Sequence, residues 1–282
     1  MNSEIQKQKA EKFLSLHKSE SMLLLPNIWD PIGARVLEAK GFPAVATASA
    51  AISASLGFKD GEKIKFLTHL EIIKRIASSV QIPVTADIES GYASDLPQLK
   101  ENINLLIDAG AVGINLEDSV GKEGILRYVD EQAERISAVR ETAEKKGIPL
   151  VINVRTDCFL RKEEKVLDKL ISEAIKRAEA YIRVGGDCFY PVGVLDLETV
   201  KVLRREIKSP INILGSAKSV PLNTLQELGI NRVSFGPFIF RSLLKKFSDI
   251  VDEIKLLGSY DSFGKESFSF DDVQKYLKQE NE

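Results

Sequence analysis

The stretch VTADIESGYAS (84–94) ends an apolar run with Asp87 and Glu89 two residues apart, then Gly91 and Tyr92. A second apolar run, VGINLED (112–118), ends in Glu117 and Asp118, and a third, LVINVRTD (150–157), carries Arg155 near its end. If these runs are strands, Asp87 and Glu89 share parity and face one side, while Asp118 points away from Glu117. Arg155 has the parity of Asn153 and Val151 and can face the same mouth. Carboxylates converging on one small mouth repel unless something neutralises them. A hard divalent cation with oxygen ligands and retained waters, Mg²⁺, does so. Each acid taken singly also suits a helix N-terminus or an exposed loop; their recurrence at consecutive strand ends favours the metal. Arg155 can hold a carboxylate or phosphonate through a bidentate pair, or neutralise the nearby acids, or do both.

These residues need elements to position them. Short apolar runs recur at 22–26, 44–48, 82–87, 112–118, 150–157, 187–191, 211–215 and 232–236, separated by helical patterns such as 130–147, 164–186 and 224–229. Gly41, Gly110, Gly147 and Gly185 stand where helices need a left-handed C-terminal residue. Eight strand–helix units predict parallel strands with right-handed crossovers and a single (β/α)₈ TIM barrel over 1–282. The rival, an open doubly wound sheet with a dinucleotide site, calls for a G-x-G-x-x-G fingerprint that is missing. In such a barrel the chemistry sits where strands run out into βα loops. A helix is expected over about 1–20. A helical tail over about 237–282, with Ser269 as a cap, exceeds what barrel closure needs and is expected to pack on a neighbouring subunit.

Of the 282 residues, 44% are hydrophobic and 28% charged, with a net charge of −2. That balance offers no basic field for nucleic acid or an anionic membrane surface. No apolar run approaches the ~20 residues that span a bilayer, and the N-terminus has no signal-peptide core. With only two cysteines, Cys158 and Cys188, a reducing, cytoplasmic setting is expected. His17 and His69 lie away from strand ends, so a histidine triad or a histidine-based zinc site is not expected; Thr68 and Glu71 around His69 have the spacing of a capping box. Cys158 falls near the mouth, whereas Cys188, within a strand, suits the core. Gly215–Ser216 and Gly236–Pro237 stand where barrels often bind phosphate, but equally suit tight turns with Pro237 at a helix start.

With these residues in hand, the chain resembles the isocitrate lyase / phosphoenolpyruvate mutase superfamily over most of its length. N-x-x-D-x-x-x-A-R (Asn27, Asp30, Ala34, Arg35) leads to a Ser–small–small turn and a later Asp. PVTADIESGYA matches the D-x-D/E-x-G-Y metal motif, AGAVGINLEDS the A-G-x-x-G-x-x-x-E-D strand, and INVRTD the N-x-R-T-D motif. The resemblance implies a (β/α)₈ barrel, Mg²⁺ in its mouth, and small 2-oxo or 2-hydroxy acids as substrates. Asp87 would be the closest metal ligand, with Glu89 and Glu117 ligating directly or through water. Ser49, Ala50 and Ala51 would bind the enolate or carboxylate end, Arg155 the carboxylate, and Asp60 would stand over the substrate. The resemblance also implies a last helix exchanged between paired subunits in a tetramer, a dimer of dimers.

The departures bear on the reaction. Isocitrate- and methylisocitrate-cleaving members carry a K-[KR]-C-G-H loop after strand four; here that loop is SVGKEGILRYVDEQ, with neither cysteine nor histidine. Mutase and phosphonate-hydrolysing members use a Lys and an Asn there; Lys122 can stand for the lysine, but no asparagine is present. Where those branches place Glu or His after strand six, Val192 stands. The expected activity is therefore Mg²⁺-dependent cleavage of a C–C bond of a small 2-oxo or 2-hydroxy (di)carboxylic acid through an enolate of pyruvate or a relative. The alternatives are P–C bond chemistry and a non-catalytic, metabolite-binding barrel.

Overall fold

The computed structural model describes residues 3–121, 125–160, 166–265 and 267–277. Each expected strand is present and slightly shorter than its apolar run. Stave one is Leu23–Leu25 and Asn27–Ile28, interrupted at Pro26, which has no N–H to give to a ladder. Staves two to eight are Val45–Thr47, Val84–Asp87, Gly113–Glu117, Val151–Thr156, Cys188–Pro191, Asn212–Leu214 and Arg232–Ser234. All neighbouring staves pair in parallel. Staves six and seven meet through a bridge between Phe189 and Ile211, and stave eight returns to stave one at Leu23 and Arg232. The ring is closed: a (β/α)₈ barrel.

Closure is reinforced by Asn27. Its Nδ2 donates to the carbonyl of Thr47 (2.9 Å), and its Oδ1 accepts from the amides of Phe235 (2.7 Å) and Gly236 (2.9 Å). One side chain thus joins staves one, two and eight. Its motif partners have local duties. Asp30 caps the helix Pro31–Ala39 through the Gly33 amide, and Arg35 donates to the carbonyl of Tyr276 in the tail.

The core lies between the staves and their surrounding helices, where Ile73, Leu99, Ile103, Leu106, Ile136 and Val139 are buried. Inside the ring several side chains are polar. Asn153 donates to Asn115 (2.8 Å), and fully buried Arg232 donates to Asn115 (3.2 Å) and meets His17 Nε2 at 3.4 Å. The helix Ser3–Leu16 shuts the end of the barrel opposite the mouth. Its Phe13 lies so close to Gly113 that a Cβ there would stand 2.7 Å from the ring, so stave four must begin with glycine.

Gly41, Gly110, Gly147 and Gly185 all take positive φ, as helix ends require. The capping box expected at Thr68 and Glu71 is not formed. The helix starts earlier, at Phe66 after Lys65, with no side-chain cap, and Glu71 pairs with Arg75 instead. The tail is a helix Phe238–Asp252, a wider turn Glu253–Leu257 ended by Gly258, and short helices Ser262–Lys265 and Phe270–Gln274. Ser269 caps the last of these in a full capping box with Asp272. Among the described residues no helix is long and apolar enough to cross a membrane.

Candidate active site

The register places Asp87 beside Asn115, and Glu117 beside Arg155, so both pairs stand at the same rim of the barrel. Asp87 is the best-defined of them. Its amide donates to Thr47 Oγ1 (3.0 Å), and its Oδ2 accepts from the Ser49 hydroxyl (2.8 Å) and amide (3.3 Å). Its Oδ1 is buried with no hydrogen-bond partner. A buried carboxylate oxygen left unpaired is costly until a cation or water meets it. Ser49 opens the helix Ser49–Ser55, where the Ala51 amide is taken by the Ala48 carbonyl. The Ala50 amide, second in the helix, is of the kind that has no intrahelical acceptor.

Arg155 is committed to its acidic neighbours. Nη1 pairs with Glu117 (2.7 Å), while Nε and Nη2 grip Asp157 at 2.7 and 2.9 Å. Burial works against the Arg155 charge, but Glu117 and Asp157 outweigh it and hold the guanidinium well above its ordinary pKa. Burial raises the Glu117 carboxyl, and Arg155 opposes that rise. Ser119 donates within reach of both Glu117 (2.8 Å) and Asp157 (3.0 Å). Of the two roles open to Arg155, neutralising the acids is therefore realised, and one N–H on each Nη is left for a ligand. Asp157 was legible only as the last letter of a motif; its place beside Arg155 makes it part of the site.

Asp60 joins the same mouth. Burial raises its pKa, as does the charge of Asp87, and Arg155 and Asp157 also act on it. Glu89 does not follow strand parity. The strand stops at Asp87, and Glu89 has φ 53°, so a left-handed turn sets its direction. Its Oε2 accepts from the Glu62 amide (2.6 Å) and its Oε1 from the Tyr92 hydroxyl (3.0 Å). Burial, with Asp60 and Asp87 nearby, pushes its carboxyl up to about 7. Asp118 faces away from the mouth as expected, and is held by Arg177 (2.9 Å) and Tyr181 (3.0 Å). Lys122 lies outside the described residues, beyond the hairpin arm Ser119–Val120.

Among the described residues no group of three or more His, Cys, Asp or Glu side chains is close enough to enclose a metal ion. The donor set instead fits Mg²⁺ held by one direct ligand. Asp87 offers a free oxygen, while Glu89 and Glu117 are already hydrogen-bonded or paired and would reach such a cation directly or through water. Mg²⁺ commonly keeps several waters and takes one or two carboxylates.

Other candidates fall away from the chemistry. Cys158 is fully buried with its thiol pushed up to about 12 by burial, so it is no nucleophile, and Cys188 is core. Gly215 and Ser216 line an apolar cleft with Phe235, Phe238 and Ile239, and the Ser216 amide is taken by Ser219. With Pro237 heading a helix, the turn reading holds there and not the phosphate one.

Known proteins share this fold. A Burkholderia cenocepacia J2315 structure provisionally described as a phosphonomutase superposes with TM-score 0.83 at 35% identity, covering 88% of this chain and 99% of that one. A second from the same organism, provisionally a lyase/mutase, reaches TM-score 0.89 at 29% identity over 97% and 96% of the two chains. The 2-methylisocitrate lyase of Halalkalibacterium halodurans is 26% identical over 274 residues, 91% of this chain and 85% of that enzyme. Residues 13–255 match the family model described as phosphoenolpyruvate phosphomutase, and the chain belongs to that family, within the isocitrate lyase / phosphoenolpyruvate mutase superfamily.

Proposed function

We propose that the mouth binds a small 2-oxo or 2-hydroxy acid together with Mg²⁺ and cleaves the C–C bond beside its carboxylate, releasing pyruvate or a relative as its enolate. The observation that carries this reading is the buried, unpartnered Oδ1 of Asp87, facing a mouth already lined by Asp60, Glu117 and Arg155. Bound there, Mg²⁺ supplies a Lewis acid that offsets negative charge growing on the substrate oxygens. Ser49 fixes the orientation of Asp87, and the amide of Ala50 offers a hydrogen bond to a developing oxyanion. Arg155 orients the carboxylate through its two remaining N–H groups. Asp60, its proton affinity raised by burial and by Asp87, is placed to hold or pass a proton over the substrate. Lys122 is the further candidate from the loop after stave four.

Phosphonate chemistry is the second reading, favoured by the 35% identity to the Burkholderia protein. The absence of the Asn, and Val192 beyond stave six, count against it. The test is pyruvate release with and without Mg²⁺ from oxaloacetate, methylisocitrate, 2,3-dimethylmalate and phosphonopyruvate, with isocitrate followed through glyoxylate. Turnover of a carbon acid only with Mg²⁺ supports the first reading. Phosphate release from phosphonopyruvate alone would replace it with the second, and binding without turnover would leave a metabolite-binding barrel.

The tail fits the homo-oligomer that the resemblance implies. No residue of Phe238–Asp252 is buried, and Leu243, Leu244, Phe247, Leu256 and Leu257 are exposed. An apolar face of this extent suits a second copy of the chain.

A further inference from the structure

Three residues other than glycine adopt left-handed backbone among the described residues: Glu62 (φ 56°), Glu89 (φ 53°) and Tyr92 (φ 52°). L side chains rarely enter this region, and such strain persists where surrounding contacts over-determine it, often at ligand clamps. Here all three belong to one ring of hydrogen bonds. Glu62 Oε1 accepts from the Ser90 hydroxyl (2.7 Å) and the Tyr92 amide (2.8 Å). The Glu62 amide donates in return to Glu89 Oε2 (2.6 Å), and the Tyr92 hydroxyl donates to Glu89 Oε1 (3.0 Å). His69 Nδ1 reaches the Tyr92 oxygen at 3.1 Å; with the phenol proton directed to Glu89, the buried, neutral imidazole carries its proton on Nδ1.

The ring spans two loops. Glu62 follows Asp60 and Gly61 on the loop after stave two, whereas Glu89, Ser90 and Tyr92 form the turn after stave three. That turn is braced from behind: Arg135 donates to the Ser90 carbonyl (2.6 Å), and Asn102 to those of Gly91 and Tyr92 (both 3.0 Å). Gly91 is required there, because it has φ 100° and an added Cβ would lie 2.7 Å from Leu99. The loop bearing Asp60 gains its purchase on this fixed turn through Glu62.

We infer that Glu62 is a positioning residue. It latches the Asp60 loop to the Glu89 turn, so that the acid over the substrate and the cation site form one mechanical unit. The inference rests on the cation-site reading above. Its consequence is that loosening either side loosens the other, and that cation affinity depends on a side chain whose two carboxylate contacts are both to the neighbouring turn.

The test uses the full chain, with amide hydrogen exchange on the cation-free protein followed by Mg²⁺ titration by calorimetry. Glu62→Ala is expected to speed exchange about tenfold or more across both 57–62 and 88–93. It should also weaken Mg²⁺ binding about tenfold, and lower kcat more than it alters KM. Glu62→Gln, which keeps an acceptor oxygen, should restore most of each. Ser90→Ala approaches from the other side and should loosen 57–62, which covers the case of Glu62→Ala failing to fold. Loosening confined to the mutated side, or unchanged Mg²⁺ affinity in a folded Glu62→Ala protein, overturns the latch. If the wild type itself binds no Mg²⁺, the cation-site reading fails, and exchange alone decides the latch.

Discussion

The two halves of the barrel rim are built from different chemistry. In the last residues of staves three, four and five, or just past them, come Asp87, Glu89, Glu117, Asp118 and Asp157, with Arg155 among them. The first three residues past staves six, seven and eight are Val192–Gly193–Val194, Gly215–Ser216–Ala217 and Phe235–Gly236–Pro237, with no charge at all. Within the staves on that side, Tyr190 bonds Ser234, and Asn212 donates to Ser234 (2.9 Å). On the function proposed above, such a division would orient a small acid, its charged head toward the cation and Arg155 and its uncharged remainder toward the other arc. Val192, at the place where the resemblance leads one to expect a Glu or His, lies on this uncharged arc.

The sharpest way to break this contrast is Asp87→Ala. In the pyruvate-release assay with Mg²⁺ it should cost about 10³-fold or more in kcat/KM, since it removes the buried carboxylate oxygen that no hydrogen bond satisfies. Near-normal activity would place the chemistry elsewhere. Next in size is Arg155→Met, which leaves the largely buried Glu117 and Asp157 without their partner. Removing one member of such a group costs about 3 kcal/mol, read by denaturant unfolding, and activity should fall with it.

A pH experiment separates the charged arc from the rest. Glu89 is raised in the folded protein to about 7, from an ordinary value of 4.5. Between those values the unfolded chain binds fewer protons at this group than the folded one, so its contribution to stability falls as pH rises from 4.5 through 7. The cation-free wild type should lose stability over that window relative to Glu89→Gln, and Mg²⁺ should reduce the loss by favouring the ionised carboxylate. A difference curve that is flat, or of opposite slope, removes Glu89 from the cation site. On the apolar arc, Val192→Ala should cost only about 1–2 kcal/mol and shift KM a few-fold while sparing kcat. A collapse of kcat there would mean that the uncharged arc touches the reacting atoms.

Much of this was legible in the sequence. The staves announce themselves because parallel strands buried on both faces read as short β-branched runs. Parity correctly turned Asp118 outward, because stave four is a regular strand as far as Glu117. At Glu89 its premise fails, because the strand has already ended, yet a left-handed turn still brings the side chain beside Asp60 and Asp87. Glu62 gave no signal, since its partners lie in another loop and three strained residues share no local pattern. The expected capping box at Thr68 failed for a related reason. Cap spacing recurs inside helices, and packing of His69 and Ile73 draws the helix start back to Phe66.

The seam closed by Asn27 has a consequence for how the protein is made. Its amide group waits on Phe235 and Gly236, 208 and 209 residues further along the chain. At about 5–20 residues per second of synthesis, that wait lasts roughly 10–40 s. Throughout it, the first stave has one unpaired edge, the kind of surface on which nascent chains associate wrongly. Pro26, with no N–H to offer to a ladder, interrupts that edge.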